Sequence, residues 1–508
     1  MADEVQEVLV SVNPSITILS GHNESKVSSR AGYFLVPCNV DSPDPPSAAA
    51  VIPIPITQAD LQVNFDKSWS GSPKLWRRWV EKLRPRHEAA WQEIGILDGV
   101  VTSTWRFNRD ENVLLEIAKF WSPRTNTFIF PWGEATVTLE DLAVLGGLPV
   151  LGSCVREKPT PVVQEDVNEL KIVRCNLNAS KYKKPTFSGW VKYFLEDMPT
   201  DRKGERIEHA AFLSMWLSMF VLKEAPFDVV QPNVFDIAVQ MVHGKGMALA
   251  PAALASLYRD LSSLKRHIIC NNQEKFVVGT PLNVLQLWIW ERFPALRPKR
   301  AVSFLEGRNL PTRAARWGNV QTRLDSSDVR GELESPTRFE WMPYGSTNVG
   351  LLGSWVSSDD IVRSKELQSF ARYIRASYLI GMYCTEKYHP HRVARQLGFD
   401  QDMPGPFPRI RSSWKESWRR YDLNPQRITF FVPDSQPGIT KDYMKWWKKF
   451  RCATDISKKR MAAVIQEGAS SSTDPGIKRQ RQDTQVSVHG QTHLTVCYDT
   501  KKDNLVPP

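Results

Sequence analysis

Residues 208 to 222, EHAAFLSMWLSMFVL, place Phe212, Leu213, Trp216, Leu217 and Phe220 at steps of three and four. Such a run folds as a helix with a wide apolar stripe, and a wide stripe must be covered by other elements. The same period recurs. KLWRRWVEKL (74 to 83) aligns Leu75, Trp76, Trp79 and Leu83, and HEAAWQEIGIL (87 to 97) aligns Ala90, Trp91 and Ile94, which predicts two neighbouring helices. LAPAALASLYRDLSSLKRHI (249 to 268) aligns Leu254, Leu257, Leu261 and Leu264. LNVLQLWIWERF (282 to 293) is apolar all round, the mark of a helix buried on every side. Helical pattern resumes in SFARYIRASYLIGMY (369 to 383) and KDYMKWWKKF (441 to 450). With 42% apolar residues and 18 Trp among 508 residues, the chain can cover all these faces. The expected fold is mainly α.

Outside the periodic part the composition changes. Residues 1 to 60 are rich in Ser, Pro and Val, with SPDPPSAAAVIPIPI at 42 to 56, which favours extended or polyproline-like backbone and predicts a disordered N-terminal arm. Residues 454 to 508, with GASSSTDPG at 468 to 476, predict a disordered tail. Between them, 61 to 453 are expected to form one large helical domain, with an irregular excursion over about 296 to 360 where no period persists. Seven scattered cysteines form no C-x-x-C pair, the usage of a reducing compartment. No secretory leader and no run long enough to span a membrane is visible.

One short stretch departs from the helical pattern. TFIFPWGEATVTLEDLAVLGGLP (127 to 149) contains two alternating runs around a Gly-containing connection, which reads as a small β-hairpin. Thr138 is placed to cap a following helix with Asp141 three residues on, and Gly146, Gly147 and Pro149 end it. Phosphate loops put glycines before a helix, at its positive end; these glycines follow one. The stretch is therefore read as scaffold.

FWSPRTNTFIFPWGEATVTLEDLAVLGGLPVLG (120 to 152) resembles the signature hairpin-helix of the plant mobile domain family, also called aminotransferase-like, plant mobile domain. EHAAFLSMWLS (208 to 218), ALAPAALASLYRDL (248 to 261), LQLWIWERFP (285 to 294) and PHRVARQLGFDQDMP (390 to 404) resemble it in order, so the likeness covers about 65 to 450. It is similar to the stand-alone, MAINTENANCE OF MERISTEMS-like branch. The resemblance implies a nuclear plant protein linked to transposon silencing, gene expression and meristem integrity, acting with a phosphatase-like partner that carries the same domain.

Catalytic chemistry is not visible in the chain. Pyridoxal-phosphate enzymes need a Schiff-base Lys and a phosphate cup on an α/β scaffold, and no alternating strand-helix units appear here. The metal-binding motifs of serine/threonine phosphatases do not occur, so phosphatase activity would come from the partner. His389, His391 and Cys384 match no common zinc spacing. His209, on an apolar helix, reads as a satisfied core histidine, and the carboxylates Asp260, Asp359, Asp360, Asp400 and Asp402 are too common to mark a nuclease. No catalytic, cofactor or metal residue is expected.

The net charge of +11 is concentrated: residues 409 to 451 hold eleven Lys/Arg against four acids, +7 of the total. Trp414 and Trp418 lie four apart beside Arg419 and Arg420, while Trp446 and Trp447 sit among Lys441, Lys445, Lys448 and Lys449. This interleaving suits nucleic acid, with phosphate contacts and base stacking; the reading preferred to it is a helix whose tryptophans face the core and whose charges face water. Arg392 and Arg395, three apart, either clamp phosphates or pair with buried acids such as Asp400 or Asp402. In the tail, Lys458, Lys459 and Arg460, then Lys478, Arg479 and Arg481, resemble a bipartite signal read by a nuclear import receptor. The leading expectation is a non-enzymatic nuclear interaction protein. A direct DNA or RNA binder of transposon origin is the alternative, and an enzyme the third.

Overall fold

The computed structural model describes residues 6–21, 24–37, 63–65, 74–181, 183–197, 202–270, 276–278, 282–298, 313–320, 324–335, 339–345, 349–405 and 413–450. All of them belong to one unit within Met1–Ile456. The fold is mainly α, with sheets of two or three strands set around the helices.

The periodic runs form helices as their spacing requires. Phe212, on the helix Arg202–Trp216, lies between Trp76 (ring centroids 4.7 Å apart) and Trp91 (5.2 Å) from the helix Lys74–Glu93. Two separate helices were expected over 74 to 97; a single one runs through Pro85 and ends before Gly95, whose φ of +76° only glycine adopts freely. The polar atoms beneath this aromatic stack are matched. Trp79 donates to Glu208 at 2.9 Å and Trp91 donates to His209 at 2.8 Å, so His209 is the satisfied core histidine the sequence suggests. Burial pushes its pKa down to about 3 and keeps it neutral.

The helix Leu249–Cys270 is the central buried element and packs against the helix Leu139–Gly146 and the strand Ser377–Ile380. The helix Leu282–Arg292 is buried nearly all round, as its composition requires. The hairpin Thr127–Phe130 with Gly133–Ala135 is present, joined by Trp121–Ser122 to make a three-stranded antiparallel sheet. Thr138 and Asp141 make the reciprocal capping box, and Gly147, at φ +60°, closes the helix.

Three further expectations need correction. Within the arm expected over 1 to 60, Val10–Ser20 and Lys26–Leu35 form a long antiparallel hairpin, with Ile439–Thr440 as third strand. Its backbone is extended as the composition suggests, but it is packed. Leu9, Val10, Ile18, Leu19 and Leu35 are buried, and Pro14 falls in the register shift between Asn13 and Ile16, where a missing N–H costs least. Arg30 holds this hairpin to Asp400 through two 2.8 Å bonds. Within the 296 to 360 excursion, Ser326–Glu334 is a helix with Val329 and Leu333 buried, too short to show a period. SFARYIRASYLIGMY is only half helical: Lys365–Ile374 is followed by the strand Ser377–Ile380, paired with Thr385–Tyr388. The tail from 454 lies outside the described residues, as does all of 38 to 60.

Candidate functional site

Three of the recurring motifs converge on charged groups inside the molecule. Asp141, fully buried on the helix Leu139–Gly146, does more than cap: its Oδ2 accepts from Thr138 N (2.7 Å) and Oγ1 (2.8 Å). Its Oδ1 accepts from Arg292 Nη2 (3.0 Å) and Tyr344 Oη (2.7 Å). Arg292 is itself fully buried, and its Nη1 donates to the carbonyl of Trp341 at 2.5 Å. Next to it, buried Glu291 accepts from Arg313 and from Trp317 Nε1, both at 2.8 Å. A buried ion pair with this many bonds holds elements in place.

The PHRVARQLG motif forms a kinked 3-10 stretch, Pro390–Leu397. Arg392 grips Glu134 of the hairpin with two bonds of 2.8 and 2.6 Å, and Thr127 Oγ1 donates to the same carboxylate at 2.8 Å. Arg392 therefore pairs with a buried acid, but with Glu134 and not with Asp400, which Arg30 occupies, or Asp402, which accepts from Thr440 Oγ1 at 2.7 Å. Gln396 bonds both the N–H and the carbonyl of Thr136 at 2.8 Å, fixing the stretch to the hairpin.

Arg395 is different. It is 8% exposed, its guanidinium lies 3.9 Å from the centroid of Trp341, and its nearest carboxylate, Glu24 at the turn of the N-terminal hairpin, is 3.7 Å away. No hydrogen bond reaches it among the described residues, and its Nε is buried without a partner. Arg395 lines a cleft of about 1240 Å³. Trp132, Phe339, Trp341, Tyr443 and Trp447 supply the aromatic wall, and Lys26 and Lys448 also line it. Glu140 lies in the same cleft, with its pKa raised to about 8 by burial and by the adjacent Asp141, against the pull of Arg292.

The tryptophans of the basic region belong to the interior. Trp418 is buried and stacks on Tyr421, and Trp447 is buried and donates to the carbonyl of Pro131 at 3.2 Å; Trp414 and Trp446 are half-buried. Arg419, Arg420, Lys441, Lys445, Lys448 and Lys449 are exposed. They sit on two helices that pack against different elements: Trp414–Tyr421 lies on the strand Ser377–Ile380, while 441–450 covers Leu19 and Ile129. Lys458, Lys459, Arg460, Lys478, Arg479 and Arg481 lie outside the described residues.

His389 and His391 are buried and kept neutral by that burial, His389 with a pKa near 3 and a 2.8 Å bond to the carbonyl of Thr125. Among the described residues no three His, Cys, Asp or Glu side chains are grouped to hold a metal, and no helix is long and apolar enough to cross a membrane. The sequence pointed to Asp141 only as a helix cap, and did not mark Arg292, Glu134 or Glu24. One signal was available: LNVLQLWIWERF ends an otherwise apolar buried helix on Glu-Arg, and buried charges must find partners.

Comparison with known proteins agrees with the motifs. The plant mobile domain profile matches residues 95–448. Among curated Arabidopsis thaliana proteins, "Protein MAINTENANCE OF MERISTEMS" is 24% identical over 59% of this chain and 59% of its own length. "Serine/threonine-protein phosphatase 7 long form homolog" is 23% identical over 71% of this chain and 28% of its own length. "Protein MAIN-LIKE 1" is 24% identical over 70% of this chain and 68% of its own length. The chain thus spans less than two thirds of the length of the first two. No solved structure matches. With the motifs from the hairpin-helix to PHRVARQLG falling inside the matched span, the chain belongs to the plant mobile domain family.

Proposed function

We propose that this chain is a non-enzymatic nuclear interaction protein. It acts in transposon silencing, gene-expression control or meristem and genome maintenance, together with a phosphatase-like protein that carries the same domain. The observation that carries the reading is where the motif charges go: Asp141 with Arg292, and Glu134 with Arg392, are buried pairs that tie a rigid body together. Relatives named for meristem maintenance and for a phosphatase support the biological setting and the partner class. The test is purification of the tagged full chain from plant nuclei. Nuclear enrichment, lost when Lys458, Lys459, Arg460, Lys478, Arg479 and Arg481 are changed to Ala, and co-purification of a phosphatase-like plant mobile domain protein are expected. An even distribution between nucleus and cytosol would contradict the reading.

The exposed basic residues favour a second reading, contact with DNA or RNA. Lys441, Lys445, Lys448 and Lys449 stand free of the core on one helix, whereas Trp418 and Trp447 are buried, so contact would run through phosphates without stacking on those two rings. Affinity for duplex DNA should then fall steeply between 50 and 200 mM salt and weaken in a K441E/K445E variant. No binding at low salt removes this reading.

A further inference from the structure

Among the described residues Arg395 is the buried arginine whose guanidinium makes no hydrogen bond at all; Arg292 and Arg372 also leave Nε unbonded but are held through their other nitrogens. Arg292 bonds Asp141, Arg392 bonds Glu134, and Arg372 bonds Asp422 and the carbonyl of Gln368. A guanidinium carries five N–H donors, and leaving them unmet inside a protein is costly enough that native structures avoid it unless the site has a use for them. The group is held ready: Trp341 supports its face at 3.9 Å, and Gln396 and Gln401 fix the backbone on either side by bonding Thr136 and the N–H of Ala394.

The surroundings define what fits. Of the acids lining the cleft, Glu340 pairs with Arg297 at 2.8 Å and Glu334 with Arg330 at 3.1 Å, so neither competes for Arg395. Glu140, deep in the same wall, has its pKa raised by burial to about 8, which favours its uncharged form. Asp434 remains, beside Gly353, and Lys26 and Lys448 offset it. Among the described residues the nearest carboxylate to the guanidinium is Glu24, at 3.7 Å, too long for a hydrogen bond and set on a turn with φ of +56°; Asp400, which also acts on Arg395 through its charge, is held by Arg30. An anion of the right shape would meet Arg395 at about 2.8 Å and outcompete it.

We propose that this cleft binds a small organic oxyanion, a phosphate or carboxylate joined to an aromatic ring. The oxyanion takes the Arg395 fork in place of Glu24, and the ring lies against the aromatic wall formed by Phe339, Tyr443 and Trp447. Bidentate arginine suits both head groups, and ring packing against the aromatic wall supplies the rest of the affinity. The site stands apart from the nuclear reading and is tested on the purified full chain alone.

The experiment is titration calorimetry with phenyl phosphate, benzoate and inorganic phosphate, with thermal melts confirming that each variant is folded. Phenyl phosphate or benzoate should bind, and the stronger of the two names the head group. Inorganic phosphate should bind at least about tenfold more weakly, since it lacks the ring. R395M should weaken binding about tenfold or more, and E24A, which removes the resident carboxylate, should tighten it about threefold. If R395M does not fold, E24A decides alone. Unchanged affinity in folded R395M, no tightening in E24A, or no binding of either ring compound at 10 mM overturns the proposal.

Discussion

Arg292 and Arg395 are both buried arginines lying against aromatic rings, and they differ in what their N–H groups meet. Around Arg292, Asp141 accepts its hydrogen bond, the carbonyl of Trp341 accepts another, and Tyr344 completes the carboxylate's bonding. Around Arg395 there is the face of Trp341, a carboxylate at 3.7 Å and a cleft. Trp341 links the two, with its carbonyl on one guanidinium and its ring on the other. The lesson is that a buried charge alone does not mark a site. The count of satisfied bonds separates a charge that joins elements from one that awaits a ligand.

That contrast can be broken most forcefully at Asp141. An Asp141→Ala variant leaves Arg292 buried without its counter-ion and should lose about 3 to 5 kcal/mol of unfolding free energy, read by urea denaturation. A loss under about 1 kcal/mol would mean that the pair does not hold the body together.

Glu140, next to Asp141 yet lining the cleft, sharpens the comparison through pH. Its carboxyl is raised to about 8 by burial, then by Asp141, with Arg292 opposing and Tyr373 and Tyr388 nearby. Because the folded value exceeds the unfolded one, its share of stability is full below about pH 4.3 and is lost as pH rises through 8. Between pH 6 and 8 the loss should be about 2 to 3 kcal/mol, and E140Q should remove that slope in melting experiments across this range. A slope that survives in E140Q belongs to another group.

The smallest effect is expected at Glu24. Since its carboxylate is partly exposed and 3.7 Å from Arg395, E24A should change stability by no more than about 0.5 kcal/mol. A larger loss would make Glu24 a structural partner of Arg395, and the two regions would then be alike.

Much of the scaffold was legible because it is local. The hairpin and capped helix of 127 to 149 follow from strict alternation, a Thr three residues before an Asp, and a Gly-Gly-Leu-Pro end, all within reach of neighbours in the chain. The tryptophan stripes announced buried faces, and Trp418 and Trp447 are buried. The N-terminal hairpin was hidden because its anchors are remote: Arg30 meets a carboxylate 370 positions away, and its third strand comes from Ile439–Thr440. The candidate site was half legible for the same reason. Arg392 and Arg395 stood out as charges in a motif, but nothing in PHRVARQLG tells which would face Glu134 and which the cleft, since a kink at Val393 between them sets their directions.

The central claim is that the two arginines play opposite parts, and urea denaturation of R292M and R395M side by side tests it most directly. R292M should lose about 3 to 5 kcal/mol, because Asp141 is stranded, while R395M should stay within about 1 kcal/mol of the parent, the loss of its contact with Trp341 offset by removal of an unmet charge. Equal losses in the two variants, or a larger loss in R395M, would contradict the account.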